Sequence, residues 1–255
     1  MKIAVLGGNG LLGSDLVRYM SSKFSVTSIT RANYDRHKNK RFDIFINANG
    51  NSRRYWALQN VYKDFEASTV SVYKTLDNFN FKKYIYISSV DVYPDTSSPL
   101  KTSEKLEIDI TKQNSYGFHK FLSEQLVRKF VSDWLIFRPS NILGSKLGKG
   151  PIFDALNKIP LYISEDSKLQ FITTRAISEI IKTLIAKSVS KEIFNLGGIG
   201  TLDFRKTKKF FKEEIKVSPE AKKQVYEMNV EKLKMVYLQL KTSEEYLQEF
   251  LIDFQ

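Results

Sequence analysis

Tyr116 and Lys120 stand four residues apart at the head of a segment with helical periodicity, so the phenol and the ammonium share one helix face. A positive charge beside a phenol lowers its pKa from an ordinary value of about 10. Such a tyrosine can give or take a proton near neutral pH. Ser88 and Ser89 follow the apolar run 84–87, and a hydroxyl at the end of a neighbouring strand can bond the same substrate oxygen. A Tyr-x-x-x-Lys pair on its own also describes an amphipathic helix with a half-buried tyrosine and a solvated lysine. The chemical reading therefore depends on the elements that would bring these groups together.

The run Lys2-Ile3-Ala4-Val5-Leu6 reads as a strand and leads into Gly7, Gly10 and Gly13, after which an amphipathic segment follows. The first glycine permits a tight reversal, the second lets backbone N–H groups approach a pyrophosphate, and the third lets helix and strand pack closely. The phosphates would then meet Gly10, Leu11, Leu12 and Gly13 at a helix N-terminus, where the macrodipole favours negative charge. A glycine-rich turn without a ligand shares this spacing. The strand before it and the helix after it are the context a dinucleotide site needs.

Further apolar runs at 25–30, 44–48, 83–87, 134–138 and 193–196 predict strands. Helical patterns fall at 11–22, 61–79, 116–131, 176–186, 204–211 and 244–250. This alternation predicts an α/β fold built on a doubly wound parallel sheet. The link 31–42 is near the minimum for a parallel crossover, so its helix is expected to shrink to a single turn. Residues 144–169 are irregular and carry Gly and Pro, which suits a substrate lobe or lid.

At 255 residues the chain fits one medium-sized domain, or one domain with a small appended lobe. A hydrophobic content of 42% argues against disorder. The absence of cysteine excludes disulfides, thiolate metal sites and a cysteine nucleophile, and fits a reducing cytoplasm. The first strand is too short for a signal-peptide core and no run approaches ~18 apolar residues, so neither secretion nor a membrane span is expected. A net charge of +12 would suit nucleic acid, yet the basic residues are scattered, with the densest group from Arg205 to Lys212. No nucleic-acid partner is expected. A basic cleft for a doubly phosphorylated small molecule uses the same electrostatics at shorter range. His37 and His119 are the only histidines, so no metal site is expected. Trp56, Trp134 and the aromatic and Leu positions of 237–250 read as packing residues.

Taken together, these residues resemble the extended short-chain dehydrogenase/reductase family of nucleotide-sugar epimerases, dehydratases and reductases. The resemblance runs to about Gly198. Gly7, Gly10 and Gly13 match the family's GxxGxxG turn, and Tyr116 with Lys120 matches its YxxxK pair. Ser89, four residues before the tyrosine of Val92-Tyr93, takes the place of its catalytic serine or threonine. Arg138-Pro139-Ser140-Asn141, with Gly144 beyond, matches a segment whose asparagine contacts the sugar nucleotide, and Glu124-Gln125-Leu126 also fits. The resemblance implies a Rossmann-type sheet with a small C-terminal substrate-binding lobe, as one unit over 1–255. In it about 1–143 would bind mainly the dinucleotide, and about 144–170 with 199–255 mainly the substrate. It further implies catalysis by Ser89, Tyr116 and Lys120, with Lys120 and Pro139 also at the cofactor. Substrate contacts would come from Ser89, Asp91 and Asn141. Helices packed between subunits in this family imply a homodimer.

Departures from the family pattern select among its chemistries. Thr30-Arg31 stands where many members carry an acid for the adenosine ribose. An acid there bonds the 2′-OH, whereas an arginine accepts a 2′-phosphate, so Arg31 favours NADP. An arginine stacked on adenine leaves NAD open, as does the nearby Asp35. The segment Asn47-Ala48-Asn49-Gly50 is similar to the cofactor-facing strand end of the 4-ketoreductase branch. The 4,6-dehydratases follow their serine or threonine with an Asp-Glu pair, and Val90-Asp91 lacks the acid. The 3,5-epimerase/reductases need a cysteine, and the aspartate that usually precedes the helix near Ala176 is absent from 171–176. What remains is NAD(P)H-dependent reduction of a keto group, at C4, of a nucleotide-linked sugar in surface-polysaccharide or deoxysugar biosynthesis. A C4 epimerase is the alternative within enzymes, and a non-catalytic NAD(P)-sensing protein is the rival from another class.

Overall fold

The computed structural model describes residues 1–211 and 215–254. The amino-terminal half alternates strand and helix. It runs β1 (Lys2–Leu6), α1 (Leu11–Met20), β2 (Ser25–Ile29) and β3 (Arg41–Asn47), then three helical pieces, α2 (Arg54–Gln59), α3 (Val61–Phe65) and α4 (Ser71–Asn78). After these come β4 (Asn80–Ile87), α5 (Ser115–Phe130) and β5 (Trp134–Pro139). The middle segment holds β6 (Asn141–Leu143), α6 (Pro151–Leu156), β7 (Leu161–Ile163), β8 (Lys168–Leu169), β9 (Phe171–Thr173), α7 (Thr174–Ala186) and β10 (Glu192–Leu196). The last adds β11 (Leu202–Asp203), α8 (Phe204–Thr207), β12 (Val217–Lys222), α9 (Glu231–Val236) and α10 (Ser243–Phe254).

Six strands form one parallel sheet in the order β10-β5-β4-β3-β1-β2. The chain order reverses at β1, which leaves a crevice at the carboxyl ends of β1 and β3, the place where open α/β sheets bind ligands. Side chains of β1 alternate between two cores. Ile3 and Val5 pack with Leu16 of α1 and Ile177 and Ile181 of α7, while Ala4 and Leu6 join Phe45, Val72, Tyr84 and Val127 on the opposite face. Helices on both faces make the sheet doubly wound, as the alternation predicts.

The differences from the sequence reading have local causes. β3 and β4 each begin three residues earlier than their apolar runs, because the polar Asp43 and Lys82 pair across them at 2.8 Å. The short crossover between β2 and β3 carries a single 3-10 turn, Asp35–His37, as expected. The helix read at 61–79 begins at Val61 as read, behind the separate α2, and is interrupted by a π-helical stretch, Glu66–Val70. The helix read at 204–211 is one turn of α8 followed by a 3-10 turn, and Lys212, the end of the basic cluster, lies outside the described residues. The irregular segment 144–169 contains α6, β7 and β8, which pair into small sheets (β7 with β12, β8 with β11) over their own core of Leu143, Ile152, Phe171, Phe204 and Leu247.

β10 is an edge strand, yet its outward polar groups are taken up by side chains. The Asn195 N–H donates to the Glu104 carboxylate at 2.9 Å, and Lys232 Nζ donates to the Ile193 carbonyl at 2.6 Å. Among the described residues, no helix is long and apolar enough to cross a membrane.

Candidate active site

The glycine turn is set by steric necessity. Gly7 has a φ of +85°, and a Cβ on it would stand 2.8 Å from the Ala48 carbonyl oxygen. A Cβ on Gly13 would stand 2.1 Å from the Gly7 carbonyl oxygen, so no other residue lets α1 start this close to the turn. The Gly7 and Gly8 N–H groups both donate to the Ile29 carbonyl, at 2.9 and 3.2 Å, which ties the turn to the end of β2. Arg31 stands exposed two residues beyond that carbonyl, and Asp35 is turned away to Lys38 at 2.7 Å. Gly10 caps α1 without a side-chain bond, and the first turn of α1 has no acidic residue. The N–H groups of Leu11, Leu12 and Gly13 have no intrahelical acceptor by position, and no carboxylate competes for them. This donor set, with the backbone of Ala48 and Asn49 packed against Gly7, fits the pyrophosphate of a dinucleotide.

The catalytic candidates meet where β4 and α5 converge. Asn114 caps α5 by accepting the Gly117 N–H at 3.0 Å, and the Gln113 amide donates to the Val92 carbonyl at 2.6 Å. A Cβ on Gly117 would lie 1.9 Å from the Asp91 carbonyl oxygen. Glycine at 117 therefore lets α5 begin against the turn after β4, which sets the Tyr116 phenol against the Ser89 hydroxyl. One helical turn on, Lys120 Nζ lies 5.8 Å from the centre of the Tyr116 ring. The same ammonium would be 3.0 Å from a Cβ on Gly50, a residue with φ of +128°. Ser89, Tyr116, Lys120 and Gly50 are thus brought together.

The electrostatics differ from the sequence expectation. Burial, reinforced by the Asp91 carboxylate, pushes the Tyr116 phenol well above its ordinary value, against a smaller opposing effect of Ser89. A lowered phenol was expected from Lys120, but dehydration outweighs the pairing. Burial also pushes Lys120 down to about 8, against the pull of Asp64, Asp91 and Glu124. Burial therefore keeps the phenol in its protonated form.

Behind Lys120, the buried His119 Nδ1 lies 2.7 Å from Asp64 Oδ2, and Asp64 also accepts from the Asn51 amide at 2.8 Å. The Thr69 hydroxyl, in the π-helical stretch, donates to the His119 carbonyl at 3.1 Å. His119 thus ties α5 to α3 and holds Asp64, one of the carboxylates acting on Lys120. At the far side, Pro139 ends β5, and the Asn141 amide donates to the Gln170 carbonyl at 3.1 Å. That bond commits one side of the Asn141 amide to the β6–β9 seam. Thr173 caps α7 by accepting the Ala176 N–H at 3.2 Å, taking the capping place of the missing aspartate.

Asp91, Ser88, Glu124 and Arg138 are named in the sequence reading, but their partners escape a reading of local motifs. Asp91 has both oxygens engaged. Ser89 Oγ donates to Oδ2 at 3.2 Å, Tyr226 donates to Oδ1 at 3.3 Å, and Arg54 pairs with Oδ1 at 3.3 Å. Arg54 also donates to the Tyr226 hydroxyl at 2.6 Å. Burial, then the charge of Arg53, pushes Lys149 on the same rim down to about 8. Arg138 grips Glu124 with two bonds of 3.0 and 2.6 Å, and the Ser88 hydroxyl donates to the same carboxylate at 2.6 Å. Glu124 and Arg138 stand in separate segments of the sequence reading, but the bond between them and the links to Ser88 and Tyr226 join residues far along the chain.

Residues 40–197 match the NAD dependent epimerase/dehydratase family. A search of the curated proteins finds no match. Among solved structures, the chain is similar to a dTDP-4-dehydrorhamnose reductase from Bacillus anthracis in complex with NADP, with a TM-score of 0.83 at 18% identity over 100% of this chain and 99% of that one. It is similar to a UDP-galactose 4-epimerase with a TM-score of 0.79 at 18% identity, over 99% and 98% of the two chains. A UDP-glucuronic acid 4-epimerase from Bacillus cereus, in complex with UDP-glucuronic acid and NAD, gives 0.74 at 14% identity over 100% of both.

Proposed function

Because the chain belongs to the NAD dependent epimerase/dehydratase family, we propose that it reduces a keto group, at C4, of a nucleotide-linked sugar. The observation that carries this reading is the meeting of Ser89, Tyr116 and Lys120 beside a glycine turn that fits a dinucleotide. A bound reduced nicotinamide would supply the hydride. Gly10, Leu11, Leu12 and Gly13 would hold the pyrophosphate, and Arg31 favours a 2′-phosphate and so NADP. Ala48, Asn49, Gly50 and Pro139 would flank the cofactor, and Lys120 would hold its ribose. In the reaction Ser89 orients the substrate oxygen and Tyr116 gives it a proton. The neighbouring Lys120 stabilises the resulting phenolate, and with it the transition state. Asn141 is the sugar-nucleotide contact on the lobe side, and the basic rim of Arg54 and Lys149 suits a doubly phosphorylated ligand.

The test is a titration with NADPH and NADH against a panel of 4-keto nucleotide sugars, followed by absorbance of the reduced nicotinamide. NADPH oxidation that depends on one sugar is expected. Tyr116→Phe should lower that turnover by about 10²–10⁴-fold while the fold and cofactor binding stay intact. Full activity in that variant would remove Tyr116 as proton donor. Tightly retained cofactor with no oxidation across the panel would move the reading to a C4 epimerase or to a sensor.

A further inference from the structure

Each ketone reduction would take a proton from Tyr116, and that proton has to be replaced inside a closed pocket. Tyr116 is only 6% exposed and Lys120 only 4%. Lys120 faces the phenol's ring and Gly50, with the buried Asp64, itself held by His119, acting on it. A second path leaves the phenol on the other side. The Ser89 hydroxyl faces it, Asp91 Oδ2 lies 3.2 Å from Ser89 Oγ, and Asp91 Oδ1 meets the Tyr226 hydroxyl and Arg54 at 3.3 Å each. The Arg54 side chain is 46% exposed, so the path reaches solvent at the rim.

We propose that Asp91 is a positioning residue that returns the proton to Tyr116 through Ser89. The role rests on the ketone-reduction reading above. In the step, the O–H bond of a neutral Asp91 carboxyl breaks as a bond to the Ser89 oxygen forms. The original Ser89 proton passes to the Tyr116 phenolate. Tyr116 ends neutral, Ser89 ends unchanged, and Asp91 ends as an anion beside Arg54. Water at the rim then supplies the next proton to Asp91, and no electrons change hands.

The surroundings suit a carboxyl that changes its protonation. Burial raises the Asp91 pKa, while Arg54, Ser89, Tyr226 and Lys149 act in the opposite sense. Tyr116 and Lys120 face it from α5. Arg54 comes from α2, Tyr226 from the segment between β12 and α9, and Lys149 from the segment before α6. Ser89 Oγ also accepts the Asp91 N–H at 3.2 Å as the cap of the 3-10 turn Val90–Val92, which fixes the distance between the two side chains.

The experiment compares the full chain with Asp91→Asn, which keeps the shape and removes the titration. With the accepted keto-sugar and NADPH, kcat should fall about tenfold to a hundredfold with KM nearly unchanged. The lost rate should return as small external acids such as imidazolium are added, while the wild type ignores them. In infrared difference spectra taken without cofactor, wild type minus D91N should show a protonated carboxyl band that fades as pH rises. Tyr226→Phe, which cuts the outer link alone, should show a smaller loss with the same rescue, and it stands in if D91N does not fold. Unchanged kcat, or a loss that external acids do not rescue, overturns the relay and leaves the reductase reading in place. NADPH oxidation by no member of the panel overturns the reductase reading and the relay with it.

Discussion

Ser88 and Ser89 are neighbours just after β4, and both meet α5, at different turns and with different consequences. Ser88 turns to Glu124, itself gripped by Arg138, whose guanidinium also donates to Tyr93 at 2.8 Å. This is a closed set of buried partners in which each charge is answered. Ser89 turns to Asp91 and Tyr116, where the charges are only partly answered and burial moves the pKa of each acid upward. The difference teaches how one strand end can be anchored at one residue and reactive at the next. The anchor is fully satisfied, whereas the reactive residue keeps company with protons that can move.

The largest test breaks the anchor. Glu124→Ala leaves the buried Arg138 without its counter-ion and should cost about 3–5 kcal/mol in urea unfolding. A loss below about 1 kcal/mol would mean that the pair does not hold the strand end.

A second test sharpens the reactive side through its lysine. The folded-state pKa of Lys120 is about 8, below its ordinary 10.5, so the unfolded chain binds that proton more tightly. The charged lysine therefore burdens the fold below pH 8, and the burden lifts as pH rises from about 8 to 10.5. The stability of Lys120→Met relative to wild type should decline by about 3 kcal/mol across that window. A constant difference would show that Lys120 is not held at a depressed pKa.

The smallest effects separate the two serines directly. Ser88→Ala should cost about 1–3 kcal/mol of stability with turnover within a few-fold of wild type, since it orphans part of a buried carboxylate. Ser89→Ala should do the reverse, lowering turnover about 10²-fold with stability changed by less than about 1 kcal/mol. Equal effects in the two assays would erase the distinction between them.

What could be read in the chain beforehand follows the same division between local and distant. The glycine turn, the six sheet strands and the Tyr116–Lys120 spacing are patterns within a few residues, where steric rules act directly. Asp91 could be singled out but not understood, because Tyr226 lies 135 residues away and is delivered by the lobe. The direction of the Tyr116 shift was misread for a related reason. Spacing places the ammonium, while dehydration depends on everything else that closes over the pocket. The break of the 61–79 helix at Glu66–Val70 likewise answers to packing against α5, which periodicity does not report.

The capped edge of β10 bears on how this chain behaves at high concentration. An open strand edge is a template on which another polypeptide can add itself, hydrogen bond by hydrogen bond. Here the Asn195 N–H and the Ile193 carbonyl are already claimed by a carboxylate and an ammonium from elsewhere in the same chain. A second strand would have to strip away both charged groups before it could register there, so the widest sheet in the molecule resists growing past β10.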